Sequence, residues 1–173
     1  MDRTRALRGA ICGAVAAGAW ALQQPLDKVA FGSRVDDVEL LGKALTRGGG
    51  WYAAGIAVHL QNGALFGAGY ALLAPALPLP AALRGPAAAL TEHLLTWRLG
   101  SLADRWHPAR EDLPKLAGNR RAFAQELWRH LFFGVVLGEL ERRVNTPAET
   151  AAPGPEAAYS SNGHGSLEHA LSA

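Results

Sequence analysis

The 173-residue chain is 49% hydrophobic and only 18% charged, with a formal net charge of +2 and an apparent pI near 9.0. Soluble domains carry about a quarter charged residues, so the composition leans toward lipid, and so mild a charge, with its basic residues scattered among acids, excludes a nucleic-acid partner. The single cysteine, Cys12, excludes an internal disulfide and a cysteine-based metal centre.

The mean hydropathy of +0.03 averages long apolar stretches with two polar loops and a polar tail. The first stretch covers residues 7–26, with Gln23 and Gln24 its strongly polar members. Arg3, Arg5 and Arg8 precede it, and Ala19-Trp20-Ala21 resembles the small-x-small cleavage site of a signal peptide. Further apolar stretches follow, so an uncleaved first span is the expected outcome.

Residues 34–46 carry a helical signal of their own. Ser33 followed by Asp36 resembles a capping box, Val35, Val38, Leu41 and Leu45 recur at helical spacing, and Gly48 to Gly50 end the run. An amphipathic helix lying at a membrane surface is predicted. Residues 51–74 form the strongest apolar segment, without a single Asp, Glu, Lys or Arg, and at 1.5 Å per residue they make about 36 Å of helix.

A third apolar segment, residues 82–98, follows the Pro75, Pro78, Pro80 link and holds Pro86, Glu92 and His93. A fourth, residues 122–141, contains Glu126, Arg129, His130 and Glu139 and needs partners for those charges to become a span. The charged loop over 98–121, with Pro108 and Pro114, should be irregular with short helical turns. Residues 146–173, rich in Ala, Pro, Gly, Ser and Glu, read as a disordered tail.

The predicted fold is therefore all-α: an integral membrane bundle of about four transmembrane helices over residues 1–145, with one interfacial helix. Gly9/Gly13, Gly63/Gly67 and Gly134/Gly138 place a Gly-x-x-x-Gly step in three of the four segments, the pattern that lets helix backbones approach closely in lipid. The same faces could instead pair two copies of the chain. The expected surroundings are the lipid bilayer of a bacterial inner membrane. Even spans put both termini on one side, and the Lys and Arg of the two long loops outnumber those on the terminal side, which favours cytoplasmic loops. Trp51, Trp97 and Trp106 fall near the loop boundary, as an aromatic belt would.

Depth along these segments places Gln23, Gln24, His59, Asn62, Glu92, His93, Glu126, Arg129 and His130 in one polar layer on the long-loop side. Charged groups inside a bilayer cost about 2.5–3.5 kcal/mol on insertion scales, so they should face inward and pair, Arg129 with Glu92 or Glu126. Four readings of the layer compete. It could be a hydrated cavity that binds or passes a small polar species. It could be a metal site drawn from His59, His93, His130, Glu92 and Glu126, although the Glu-x-x-His steps of di-iron bundles are absent. It could be an acid/base pair in an enzyme, for which no nucleophile is identifiable. Lastly, it could be hydrogen-bonding glue between helices. No cofactor is expected, and a role as a membrane partner subunit stays open. A soluble all-α bundle is the alternative architecture, although residues 51–74 lack the charged face such a helix would show.

The stretches FGSRVDDVELLG and WHPAREDLPKLAGNRRAFAQELWRHLFFGVVLGELERR resemble small, uncharacterised multipass membrane proteins of bacteria, over about residues 7–145. The resemblance implies a multipass membrane fold and brings no substrate, cofactor or catalytic residue.

Overall fold

The structure is a computed structural model and describes residues 2–145. The predicted tail over 146–173 lies outside the described residues. The described chain is all helical: α1 (Arg3–Phe31), α2 (Asp37–Leu45), α3 (Trp51–Leu73), α4 (Ala81–Thr96), α5 (Gly100–Trp106) and α6 (Arg120–Asn145), with 3-10 turns at Ala74–Ala76 and Trp97–Leu99.

Helix α1 starts where the Asp2 carboxylate accepts the Arg5 backbone N–H at 3.0 Å, and it runs through Pro25 for another turn and a half. It stops at Gly32, whose φ of +57° is a left-handed conformation that a side chain would strain, while the Gly32 N–H returns to the carbonyls of Lys28 and Val29. The sequence places the end of this segment at residue 26, yet the helix runs on past Pro25 to Phe31. The extra turn matters, since it brings Asp27 into the bundle.

Three glycine contacts organise the packing. Gly9 and Gly13 of α1 lie against Gly67 and Gly63 of α3 so closely that a Cβ on any of them would collide with backbone. Gly85 of α4 fits in the same way between Gly134 and Gly138 of α6. Gly42 of α2 meets the carbonyl of Trp51, and Gly55 of α3 meets that of Val38. All three Gly-x-x-x-Gly steps therefore serve contacts within one chain, two of them against each other. Helix α1 packs on α3 and α6, α4 on α6, and α2 on α3.

The pairings 9 with 67 and 13 with 63, and 85 with 138, make neighbouring helices antiparallel, so the bundle runs up and down. Both ends of the described chain meet at one end of it. There Arg5 donates to Glu141 and to the carbonyls of Ala71 and Asn145, fastening α1, α3 and α6 together. The middle of the bundle is a thin apolar core of Cys12, Ala16, Ala17, Trp20, Tyr70, Ala89, Phe133 and Leu137. The far end, nearer α2 and the 97–119 segment, holds the polar residues.

The all-α expectation holds, with two qualifications. Among the described residues no helix is long and apolar enough to cross a membrane, so hydropathy does not support four transmembrane helices. The physical reason is that each helix carries its own polar residues: Gln23, Gln24, Asp27 and Lys28 in α1, His59, Gln61 and Asn62 in α3, and eight Lys, Arg, Asp or Glu side chains in α6. The second concerns α2, whose cap is Asp36 and not Ser33. The Asp36 carboxylate accepts the Glu39 N–H at 2.9 Å, and α2 begins at Asp37.

Asp36 also receives Lys28 at 2.5 Å. Burial works to raise its pKa, but the Lys28 ammonium and the Glu39 N–H together outweigh it and hold the carboxyl below the ordinary range. A lowered folded value contributes stability above the unfolded value of about 3.9, and that stability is lost as pH falls through the folded value. Asp36→Ala should therefore cost about 1–2 kcal/mol at neutral pH, and the difference from the wild type should shrink below about pH 4. Unfolding curves of both proteins at pH 7 and pH 3.5 check this.

Candidate functional site

Arg129 lies in the polar half of the bundle and is fully buried. Its guanidinium has five N–H donors, and all five are used. Nε and Nη2 hold the two oxygens of Asp27 at 2.7 Å each, in the parallel fork that carboxylate and guanidinium favour. Nη1 donates to Asp37 and to Glu126, both at 2.7 Å, and Nη2 also reaches the carbonyl of Val35 at 3.0 Å. Three helices and the α1–α2 link thus converge on one side chain.

A second ring of polar groups orients the carboxylates. Gln125 donates to Asp27 at 2.6 Å and Gln23 donates to its other oxygen at 2.5 Å. The Trp20 indole N–H donates to Asp37 at 3.1 Å, and Gln24 accepts the Asp37 backbone N–H at 3.2 Å. Trp128 in turn donates to Gln23 at 3.2 Å. Trp20, Gln23, Gln24 and Asp27 are spaced at three, four and seven residues, so one face of α1 supplies the whole set.

The histidines form a separate row beside this cluster. His130 pairs with Glu92 at 2.8 Å through Nε2, while its Nδ1 sits 2.7 Å from the Glu126 carbonyl. With both nitrogens engaged, the ring bridges α4 and its own helix. His93 is almost wholly enclosed, its ring against His130, Trp97 and Phe123, and its Nε2 has no hydrogen-bond partner among the described residues. His59 contacts the Ala17 carbonyl at 3.1 Å and stacks edge-on to Trp20, which separates it from His130.

Between α1, α2, α3, α4 and α6 lies a cavity of about 410 Å³. Its wall includes Asp37, Glu92, His59, His130 and Asn62 beside Trp20, Phe66 and Phe133, with Leu40 and Leu41 of α2 along one side. The volume falls in the range of small-molecule sites, about 300–1,000 Å³, as does the mix of aromatic lining with a few polar groups.

Most of the residues expected in one layer are therefore brought together. Glu126, Arg129, Gln23 and Gln24 belong to the arginine cluster, and Glu92, His130, His59 and Asn62 to the cavity wall. Arg129 does pair with Glu126; Glu92 goes to His130 instead. Among the described residues no group of three or more His, Cys, Asp or Glu side chains is placed to hold a metal ion. The metal candidates His59, His93, His130, Glu92 and Glu126 instead divide between the Trp20 contact, the Glu92–His130 pair and the Arg129 cluster.

Sequence reasoning missed Asp27 and Asp37, two of the three carboxylates that Arg129 contacts. The available signal was the i, i+4 step from Gln23 to Asp27 on a segment otherwise free of acids. Of the expected aromatic belt, Trp106 is largely exposed, Trp51 lies under the Lys43 ammonium, and Trp97 packs on His93 and Phe123. Comparisons with family models, with curated proteins and with solved structures found no match.

Proposed function

We propose that this chain is a membrane-embedded helical bundle whose polar half holds a binding cavity for a small polar species. The observation that carries the reading is the inversion of polarity between inside and outside. Arg129, Gln125, His93 and Asp27 are among the most enclosed side chains, while Leu22 is 83% exposed, Val29 84% and Leu26 74%. Leu7, Ile11 and Val15 on α1, Leu65 and Leu73 on α3, Leu94 and Leu95 on α4, and Val135 on α6 are also exposed. In water a surface of this kind is a liability, because soluble monomers rarely present large contiguous apolar area. In lipid it costs nothing, and helix contacts there rest on small residues and interhelical hydrogen bonds, as they do at Gly9–Gly67, Gly85–Gly138 and Arg129.

Part of each helix's shortfall in hydropathy comes from polar residues that are enclosed and paired, while Gln61 and Asn62 of α3 and the arginines at the two ends of α6 are exposed. The cost of the paired ones in lipid is met by one another: Arg129 by three carboxylates, Glu92 by His130, Arg5 by Glu141. Helix α3 supports the same reading from another side, because it is apolar around its whole circumference, with only His59, Gln61 and Asn62 interrupting.

The test is extraction. The full-length tagged chain should stay in the membrane pellet after an alkaline carbonate wash and come into solution only with detergent. Recovery in the carbonate supernatant as a monodisperse protein would make this the soluble bundle instead.

A further inference from the structure

We propose that the cavity takes a small organic cation, a protonated or quaternary amine with a compact apolar body; this rests on the binding-cavity reading above. Two independent features of the wall point there, its charge and its aromatic rings. Asp37 and Glu92 both line the cavity, and none of the lining side chains among the described residues is a Lys or an Arg. The negative charge behind the wall is also in excess. Asp27, Asp37 and Glu126 share the one guanidinium of Arg129 in a nearly dry site. Even with Glu126 protonated, Asp27 and Asp37 are two carboxylates on one guanidinium, and an unmatched charge in such surroundings costs several kcal/mol. Asp37 is the member of that cluster that reaches the cavity, so a cation placed against it would balance charge that no side chain of the cluster balances.

The second feature is the apolar part of the wall. Trp20, Phe66 and Phe133 contribute aromatic rings, and Leu40, Leu41 and Leu65 contribute aliphatic surface. Aromatic rings attract cations, most strongly ones that have given up water, and a quaternary or tertiary amine gives up water more easily than a metal ion or a primary ammonium. A hard cation would instead need a shell of oxygen ligands, and no group of three or more carboxylate, His or Cys side chains is gathered for one among the described residues. An anion would lie against the carboxylates of Asp37 and Glu92, which the shared Arg129 guanidinium and the His130 ring balance only in part. The wall therefore selects on two counts, positive charge and an apolar body, within about 410 Å³.

The experiment is calorimetric titration of the purified full-length protein with three probes of nearly equal shape: choline, its neutral carbon isostere 3,3-dimethylbutan-1-ol, and the anion pivalate. Saturable binding of choline at least tenfold tighter than the isostere is expected, with no binding of pivalate. Glu92→Gln leaves all five hydrogen bonds of Arg129 in place and should weaken choline at least tenfold, about 1.4 kcal/mol, without changing the isostere. Asp37→Asn should do the same, with circular dichroism verifying that each variant is folded. Equal or tighter binding of the isostere or of pivalate, or choline binding untouched by both substitutions, would overturn the cation while leaving a cavity for a polar species. If no probe binds, both the cation and the binding cavity fall, and the polar residues are helix-packing groups.

Discussion

Replacing Arg129 with Met should destabilise the protein by about 3–5 kcal/mol, the largest effect expected of any single substitution. Methionine fills much the same volume, so the loss comes from the partners: Asp27, Asp37 and Glu126 would stay buried without the cation that all three contact. Arg129→Lys should recover only part of the loss. Lysine keeps the charge but has three donors on one nitrogen, and it cannot grip both oxygens of Asp27 while reaching Asp37, Glu126 and the Val35 carbonyl. The diagnostic result is the double variant. Adding Asp27→Asn to Arg129→Met removes one of the stranded charges and should restore stability relative to Arg129→Met alone, although Asp27→Asn by itself destabilises. Thermal unfolding followed by circular dichroism gives the coupling between the two positions. Arg129→Met within about 1 kcal/mol of the wild type would mean that the cluster does not hold the bundle together.

The second large effect is expected at the crossing of α1 and α3. Gly13→Val places a branched side chain where even a single Cβ would strike the carbonyl of Gly63, and backbone cannot swing aside as a flexible side chain can. The two helices must separate, which costs about 3 kcal/mol or more, at the upper end of overpacking. It should also loosen Arg5 and His59, whose carbonyl partners Ala71 and Ala17 lie across the same contact. Gly69→Ala is the matched control. Gly69 lies on α3 with open space around it, so alanine there should be neutral or stabilise by up to about 1 kcal/mol through helix propensity. Similar losses at Gly13 and Gly69 would show that the glycines matter through composition and not through contact.

These two sites also mark what could be read from the letters. The glycine steps were legible because small-xxx-small is written directly in the sequence, and each step found a close contact. Their partners were not legible. Gly42, Gly55 and Gly85 are single glycines with no pattern around them, and only the approach of a second helix gives them a role. The polar layer was legible for a different reason. Distance along a helix converts to height in an up-and-down bundle, so residues 23–24, 59–62, 92–93 and 126–130 had to fall at one end.

Lateral neighbours are another matter, because height says nothing about which helix lies beside which. Glu92 and Glu126 were equally good partners for Arg129 on height alone, and the order of helices gave one to His130 and the other to Arg129. Asp27 falls just past the expected end of the first span, at residue 26, and Asp37 on a helix expected at the membrane surface, so neither reads as a partner of Arg129. In the fold, α1 continues past the proline and α2 turns its first residue inward.

The central ion cluster also has a history within each molecule as it is made. Asp27 and Arg129 are 102 positions apart, and Asp37 precedes its arginine by 92. At about 5–20 residues per second, a growing chain holds both acids for on the order of 5–20 s before the ribosome reaches their counterion. During that interval α1, α2 and α3 can meet through Gly13, Gly63, Gly42 and Gly55, but the end of the bundle that carries the two carboxylates has nothing to close on. Synthesis therefore supplies the α1–α3 and α2–α3 glycine contacts before the charged end can close, while the Gly85 contact waits for α6 together with Arg129. A chain that stops short of α6 is left with its acids exposed, a mark by which quality control could tell an unfinished copy from a finished one.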